Sequence, residues 1–317
     1  MKVLFFWKVF IYLNTFEKRW IMNLENLVTE KRNKSTYNLD EMSTVKLLET
    51  MNNEDALVAR AVREKIPDIA KAVNAIVDSL QLGGRLIYIG AGTSGRIGLL
   101  DAVECPPTFG VNPDEVIGLI AGGEKAFIKA VEGAEDDFAL AQKELERIEL
   151  SAVDVVVGIA ASGRTPYVIG GLKFASSVGA KTIALSCNQD SEIGKHAQIV
   201  IEVDNGPEVL TGSTRLKAGT SQKLICNMLS TASMIGIGKV YGNLMVDLQL
   251  TNEKLVDRAK RIVIEATGCN EIEATDSLIA SGNKPKVAIL MILSGMDKLE
   301  AEEKLIKSGG FIKKALE

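Results

Sequence analysis

The stretch Arg85-Leu86-Ile87-Tyr88-Ile89-Gly90-Ala91-Gly92-Thr93-Ser94-Gly95 decides how this chain is read. A short, near-continuous apolar run passes directly into three glycines spaced as G-x-G-x-x-G. A run without polar alternation marks a strand buried on both faces, as in a parallel sheet. The glycines that follow can expose backbone N–H groups at a helix start. Four more runs rich in β-branched residues lie downstream: Val116 to Ala121, Asp154 to Ala160, Lys181 to Cys187 and Ile199 to Val203. Most are separated by stretches long enough for a helix. The pattern predicts an α/β fold, a five-stranded parallel sheet with helices on both faces. In such sheets ligands bind at the carboxyl ends of the strands, which directs attention to the residues just after each run.

Outward from this centre, residues 54 to 80 carry helical periodicity, with Ala59, Val62, Ile66, Ile69, Val73, Ile76 and Leu80 on one stripe. Pro67 is expected to break or kink that helix and Gly83-Gly84 to end it. Leu216 to Ile237 reads as a long helix. From Asn252 onward the pattern is purely helical, cut by Gly268, Gly282, Pro285, Gly295 and Gly309-Gly310 into three or four short helices. The expected division is residues 1–22 as a non-native or disordered extension and 23–80 as an N-terminal helical segment. The α/β domain would then be 81–248, and 249–317 a small helical C-terminal domain. Phe5, Phe6, Trp7, Phe10, Tyr12, Phe16 and Trp20 crowd the first twenty-one residues, which hold both tryptophans. Lys8 interrupts the apolar run and no A-x-A site follows, so neither a signal peptide nor a bilayer span fits. Met22 is a plausible true start, with a peripheral membrane anchor as the alternative.

With 317 residues, 46% of them apolar and 25% charged, the chain can bury a full core. A net charge of -4 offers no cationic surface for nucleic acid or an anionic membrane, so a small molecule is the expected partner. Cys105, Cys187, Cys226 and Cys269 lie far apart without a CxxC, and His196 is the sole histidine. A zinc site is therefore not expected, and the cysteines read as reduced thiols of a cytoplasmic protein. A histidine-based nucleophilic mechanism would have to use His196, whose polar surroundings suggest a surface residue.

The G-x-G-x-x-G element alone is a weak signal. A dinucleotide site also wants an acidic residue at the end of the second strand, where this chain has Gly122-Gly123 with Glu124 behind them. Gly92, Thr93 and Ser94 instead suit a phosphate, through backbone N–H and hydroxyl donors. A second loop, Ala161-Ser162-Gly163-Arg164-Thr165-Pro166-Tyr167, repeats small hydroxyl residues around a glycine after the third strand. Ordinary N-capping by Ser162 or Thr165 explains one such loop; two at equivalent strand ends favour an anion site. A third stretch, Glu208 to Thr220, sets hydroxyls, Arg215 and Lys217 at the start of the long helix. It reads equally as a capped helix with solvated cations.

Two acidic groups are candidates for acid–base work. Glu104 precedes Cys105-Pro106-Pro107, where the double proline is expected to end the helix. A carboxylate at a helix carboxyl terminus, if partly desolvated, would have a raised pKa suited to a general acid. The alternative is an exposed glutamate. Glu132-Gly133-Ala134-Glu135-Asp136-Asp137 follows an expected helix from Lys125 to Val131; it reads as a solvated cap unless it folds over the strand ends to face Glu104.

Taken together, these segments closely resemble the N-acetylmuramic acid 6-phosphate etherases, bacterial members of the sugar isomerase (SIS) domain family. The resemblance runs from Leu24 to Leu316 through Leu86–Arg96, Glu104–Thr108, Val131–Asp136, Gly158–Tyr167 and Lys217–Thr220. It implies a SIS-type fold and a carbon–oxygen lyase that cleaves the D-lactyl ether of N-acetylmuramic acid 6-phosphate. The products would be N-acetylglucosamine 6-phosphate and D-lactate, in cell-wall recycling. It further implies Glu104 and Glu135 as the catalytic pair. Gly92, Thr93, Ser94, Ser162, Gly163, Thr165 and Lys217 would surround the phosphate. No metal or redox cofactor is required, and a homodimer with sites near the subunit interface is expected. The rivals are a SIS sugar-phosphate isomerase and a non-catalytic phosphosugar sensor, because the fold by itself does not establish activity.

Overall fold

The structure is a computed structural model that describes residues 27–250 and 253–317. The aromatic segment and the start at Met22 lie outside the described residues. Three helices, α1 (Thr44–Asp55), α2 (Val58–Arg63) and α3 (Ile66–Gln81), precede the sheet. Pro67 does not kink a single helix here; it sits in the first turn of α3, where its missing N–H has no intrahelical partner to lose.

The five apolar runs form β1 (Leu86–Gly90), β2 (Val116–Ile120), β3 (Val155–Ala160), β4 (Lys181–Ser186) and β5 (Ile199–Glu202). All neighbours are parallel, in the order β2-β1-β3-β4-β5. The crossovers are α4 (Gly92–Phe109), α5 (Lys125–Ile128), α6 (Phe138–Arg147) and α7 (Pro166–Val178), and α8 (Lys217–Gly236) follows β5. Alternate strand residues point to opposite faces. Leu86, Tyr88, Val155, Val157, Ile183 and Leu185 pack against Ile76 of α3, Ala102 and Cys105 of α4 and Ile225 and Leu229 of α8. Ile87, Ile89, Val156 and Ala184 pack on the other side against Ala141 and Leu145 of α6 and Val168, Leu172 and Ala175 of α7. Both faces are dry, which is why the strands read as continuous apolar runs. Gly118 of β2 lets α4 lie directly on the sheet, since a Cβ there would be 2.5 Å from Leu99 Cα.

Three expectations are corrected. The double proline does not end α4, which continues through Pro106 and Pro107 to Phe109 and stops at Gly110 with φ +64°. The two missing N–H donors cost ladder bonds, but Cys105 and Phe109 are buried in the core and hold the last turn in place. Thr108 Oγ1 also donates to Glu104 O at 2.7 Å. The helix after β2 covers only Lys125–Ile128, not Lys125 to Val131. Among the described residues the C-terminal region holds five helices rather than three or four: α9 (Glu253–Thr267), α10 (Glu271–Ala280), α11 (Pro285–Ser294), α12 (Lys298–Lys307) and α13 (Ile312–Leu316). They enclose a separate core containing Val263, Leu278, Ala288, Ile289 and Ala301. A short antiparallel ribbon, β6 (Val240–Tyr241) with β7 (Leu244–Met245), leads into it. No helix among the described residues is long and apolar enough to cross a membrane.

Candidate active site

The parallel topology brings the loops after β1, β3, β4 and β5 to one edge of the sheet. There the amino-terminal turn of α8 lies beside that of α4. Ser94 Oγ donates to Gln222 Oε1 at 3.0 Å, and a Cβ on Gly219 would meet Thr93 Cγ2 at 3.5 Å. The second hydroxyl loop is tied to the loop after β4. Cys187 N and Asn188 Nδ2 each donate to Ala161 O at 3.0 Å, and Ile193 N donates to Gly163 O at 2.9 Å. Gly163 has φ +71°, a conformation glycine adopts without strain. Ser162 Oγ accepts from Arg164 N at 3.3 Å, and Thr165 precedes Pro166 at the start of α7 without a side-chain cap.

Cys187 links the two halves. Its Sγ lies 3.6 Å from Ser221 Oγ on α8, and Asn205 Nδ2, just past β5, donates to the same hydroxyl at 2.8 Å. Burial pushes the Cys187 thiol up to about 12, so it is protonated and unreactive at neutral pH. A continuous chain of contacts thus runs from Ser94 through Gln222, Ser221 and Cys187 to the Ala161–Thr165 loop.

The third stretch is assembled differently from the expectation. Glu208 places its two carboxylate oxygens 2.9 Å from the N–H groups of Lys217 and Ala218 and so caps α8 with the chain's own anion. Burial raises the Glu208 pKa, and the two N–H bonds partly offset that shift. Lys217 is 1% exposed, and its Nζ pairs with Glu54 Oε2 of α1 at 2.7 Å. Within the chain, then, neither this helix start nor this ammonium is open to a phosphate.

Glu104 stands apart from the serine loops, whereas the turn that carries Glu135 packs on α7, with Ala134 in the same core as Tyr167 and Val168. Glu104 lies ten residues beyond Ser94 on α4, about 15 Å further along its axis at the usual helical rise. Its side chain is 61% exposed and its Oε2 is 3.6 Å from Lys223 Nζ, which also approaches Asp101 Oδ1 at 4.0 Å. The partial desolvation expected for Glu104 is absent from the single chain. Glu135 sits on a single 3-10 turn, Ala134–Asp136, and is exposed as well. Behind Glu104, the buried Asp101 accepts from Tyr88 Oη at 2.9 Å and Ser230 Oγ at 3.1 Å, and burial raises its pKa.

Most of the chain matches known proteins. A glucokinase regulatory protein N-terminal SIS domain matches residues 68–176, a SIS domain matches 141–232, and the C-terminal lid domain of glucokinase regulatory protein matches 242–286. N-acetylmuramic acid 6-phosphate etherase 2 of Enterococcus faecalis is 60% identical over 295 residues, covering 93% of this chain and all of the relative. The N-acetylmuramic acid 6-phosphate etherase of Bacillus mycoides is 61% identical over 293 residues, covering 92% of this chain and all of the relative. The chain belongs to the N-acetylmuramic acid 6-phosphate etherase family. Among solved structures, a phosphoheptose isomerase from Francisella tularensis aligns with TM-score 0.44 and 18% identity over 61% of this chain and all of that one.

For a member of the etherase family, several residues of this edge escaped the sequence reading. Gln222, Asn205, Ser221 and Asn188 lie inside or beside apolar runs, where polar residues carry no local pattern. Glu208 could have been recognised as a capping acid placed nine residues ahead of a helix start, but the intervening loop hides its reach. Lys223 was invisible because its partner Glu104 is remote in sequence.

Proposed function

We propose that this protein cleaves the D-lactyl ether of N-acetylmuramic acid 6-phosphate to N-acetylglucosamine 6-phosphate and D-lactate. Identity of about 60% over the full length of relatives bearing the etherase name carries this reading. The loops of Gly92–Ser94 and Ser162–Thr165 supply the donors for the 6-phosphate. Opening of the sugar ring exposes an aldehyde at C1, which acidifies the C2 proton. A base removes that proton and the C3–O bond breaks, while an acid protonates the departing lactyl oxygen. Water then adds to the unsaturated aldehyde at C3 and a proton returns to C2. Glu135 is assigned as the base and Glu104 as the acid.

Because Glu104 and Glu135 are exposed in one chain, a homodimer that closes over them is part of the proposal. Burial at a subunit interface would provide the desolvation that the single chain lacks. The protein is proposed to act in the cytoplasm, in the degradation of cell-wall amino sugars. The deciding experiment is D-lactate release from N-acetylmuramic acid 6-phosphate by wild type, Glu104→Gln and Glu135→Gln. Each substitution is expected to lower kcat by about 100-fold or more. Wild-type protein that binds the phosphosugar yet releases no D-lactate would favour the sensor reading instead.

A further inference from the structure

Gln222 is fully buried on α8, and among the described residues its Nε2 has no hydrogen-bond partner. Its Oε1 meanwhile takes the only hydrogen that Ser94 can donate. Both facts work against an anion. A serine whose hydrogen is spent inward shows a phosphate only lone pairs, and a buried amide N–H without an acceptor is costly. The two ends of a glutamine amide have nearly the same shape, so turning it over exchanges donor and acceptor without repacking.

The geometry points to Gln222 as a polarity-setting residue for Ser94. When a phosphate arrives, the amide reverses, Nε2 donates to Ser94 Oγ, and the serine hydrogen turns outward to a phosphate oxygen. The surroundings accommodate the reversed amide. Burial keeps the Cys187 thiol protonated, and Ser221, Glu208, Gln222 and Asn205 are the polar side chains that bear on it. Its S–H has two long contacts, 3.6 Å to Ser221 Oγ and 3.8 Å to Ala218 O, and exchanges them for Oε1 in the reversed state. In the reversed orientation Nε2 and Oε1 both have partners and the serine hydrogen is left for a phosphate oxygen, which favours phosphorylated over unphosphorylated sugars. This inference rests on the reading of Ser94 as a phosphate contact.

The test uses the full chain and three variants: Ser94→Ala, Gln222→Met and the double substitution. Calorimetry gives Kd for N-acetylglucosamine 6-phosphate and for inorganic phosphate, and steady-state kinetics give KM and kcat for the ether substrate. Each single variant is expected to weaken phosphate binding by about 10-fold or more, as loss of one charge-assisted hydrogen bond does. The double variant should be no weaker than the singles, and the loss should fall on KM rather than kcat. A Gln222→Met protein that binds as wild type does while Ser94→Ala is weakened overturns the inference, as do single effects that multiply in the double. A Ser94→Ala protein with unchanged Kd overturns the phosphate reading itself and this inference with it. Gln222→Glu provides a second check in the same shape. Its protonated acid can donate to Ser94 and its carboxylate cannot, so its affinity must rise on acidification relative to wild type; a parallel pH profile refutes the proposal.

Discussion

Replacing Asp154 with Asn should destabilise the fold by about 3–5 kcal/mol, as breaking a buried ion pair from one side does. Asp154 is 1% exposed and its carboxylate accepts five hydrogen bonds. Oδ1 takes Arg85 N at 2.9 Å and Arg85 Nε at 3.1 Å. Oδ2 takes Arg85 Nη2 and Ser151 N at 2.8 Å and Ser151 Oγ at 3.0 Å. An asparagine keeps the first pair but turns an NH2 towards the other three donors. The Ser151 hydroxyl can rotate to accept, which leaves two donors facing a donor. Each costs about 1–3 kcal/mol, consistent with the figure above. Burial alone would raise the Asp154 pKa, but the bonds from Arg85 and Ser151 outweigh it and the value is lowered. A lowered acid contributes stability that is present above its ordinary value, about 3.9, and lost as the pH falls through the folded-state value. Urea unfolding followed by circular dichroism should therefore show a gap between wild type and Asp154→Asn at neutral pH that narrows below about pH 4. The clamp ties the amino ends of β1 and β3, opposite the candidate site, so kcat per folded molecule should stay within about twofold. A variant within about 1 kcal/mol of wild type at pH 7, or a gap that persists in acid, refutes the reasoning.

Two further outcomes follow from backbone space and from burial. Gly163→Ala would put a Cβ 2.5 Å from Ser191 Cβ at φ +71°. A left-handed penalty of about 1–2 kcal/mol and a similar overpacking cost should lower the urea midpoint and raise KM for the phosphosugar; an unchanged midpoint would show that the loop adapts freely. Native protein treated with a thiol-specific disulfide reagent at pH 8 should label Cys269 rapidly and the buried Cys105, Cys187 and Cys226 only on unfolding. Burial pushes Cys105 and Cys187 up to about 12 and raises Cys226 well above its ordinary value. A second thiol reacting as fast as Cys269 would contradict that packing.

The sheet was legible because each strand is short, apolar and bounded by polar or glycine residues; observed ends agree with the expected ones to within a residue. Both hydroxyl loops were legible for a related reason: at the carboxyl end of a parallel strand, the chain must turn into a helix, and Gly92 and Gly163 mark where it does. Helix boundaries set by packing were less legible. Pro106 and Pro107 break a helix by local rules, yet the core holds Cys105 on one side of them and Phe109 on the other, and tertiary burial outweighs the lost backbone bonds.

Local periodicity, glycine placement and composition determined the α/β class, the parallel sheet and the edge proposed here for the ligand, because these depend on residues close in sequence. The partners of the charged and amide groups were decided only in three dimensions. Lys217 turned out to be bound to Glu54, 163 positions away, and Ser94 to Gln222, 128 positions away. A hydrogen bond or ion pair between such residues depends on how helices dock on the sheet. That docking is set by the summed burial of many apolar side chains, so no local motif records it.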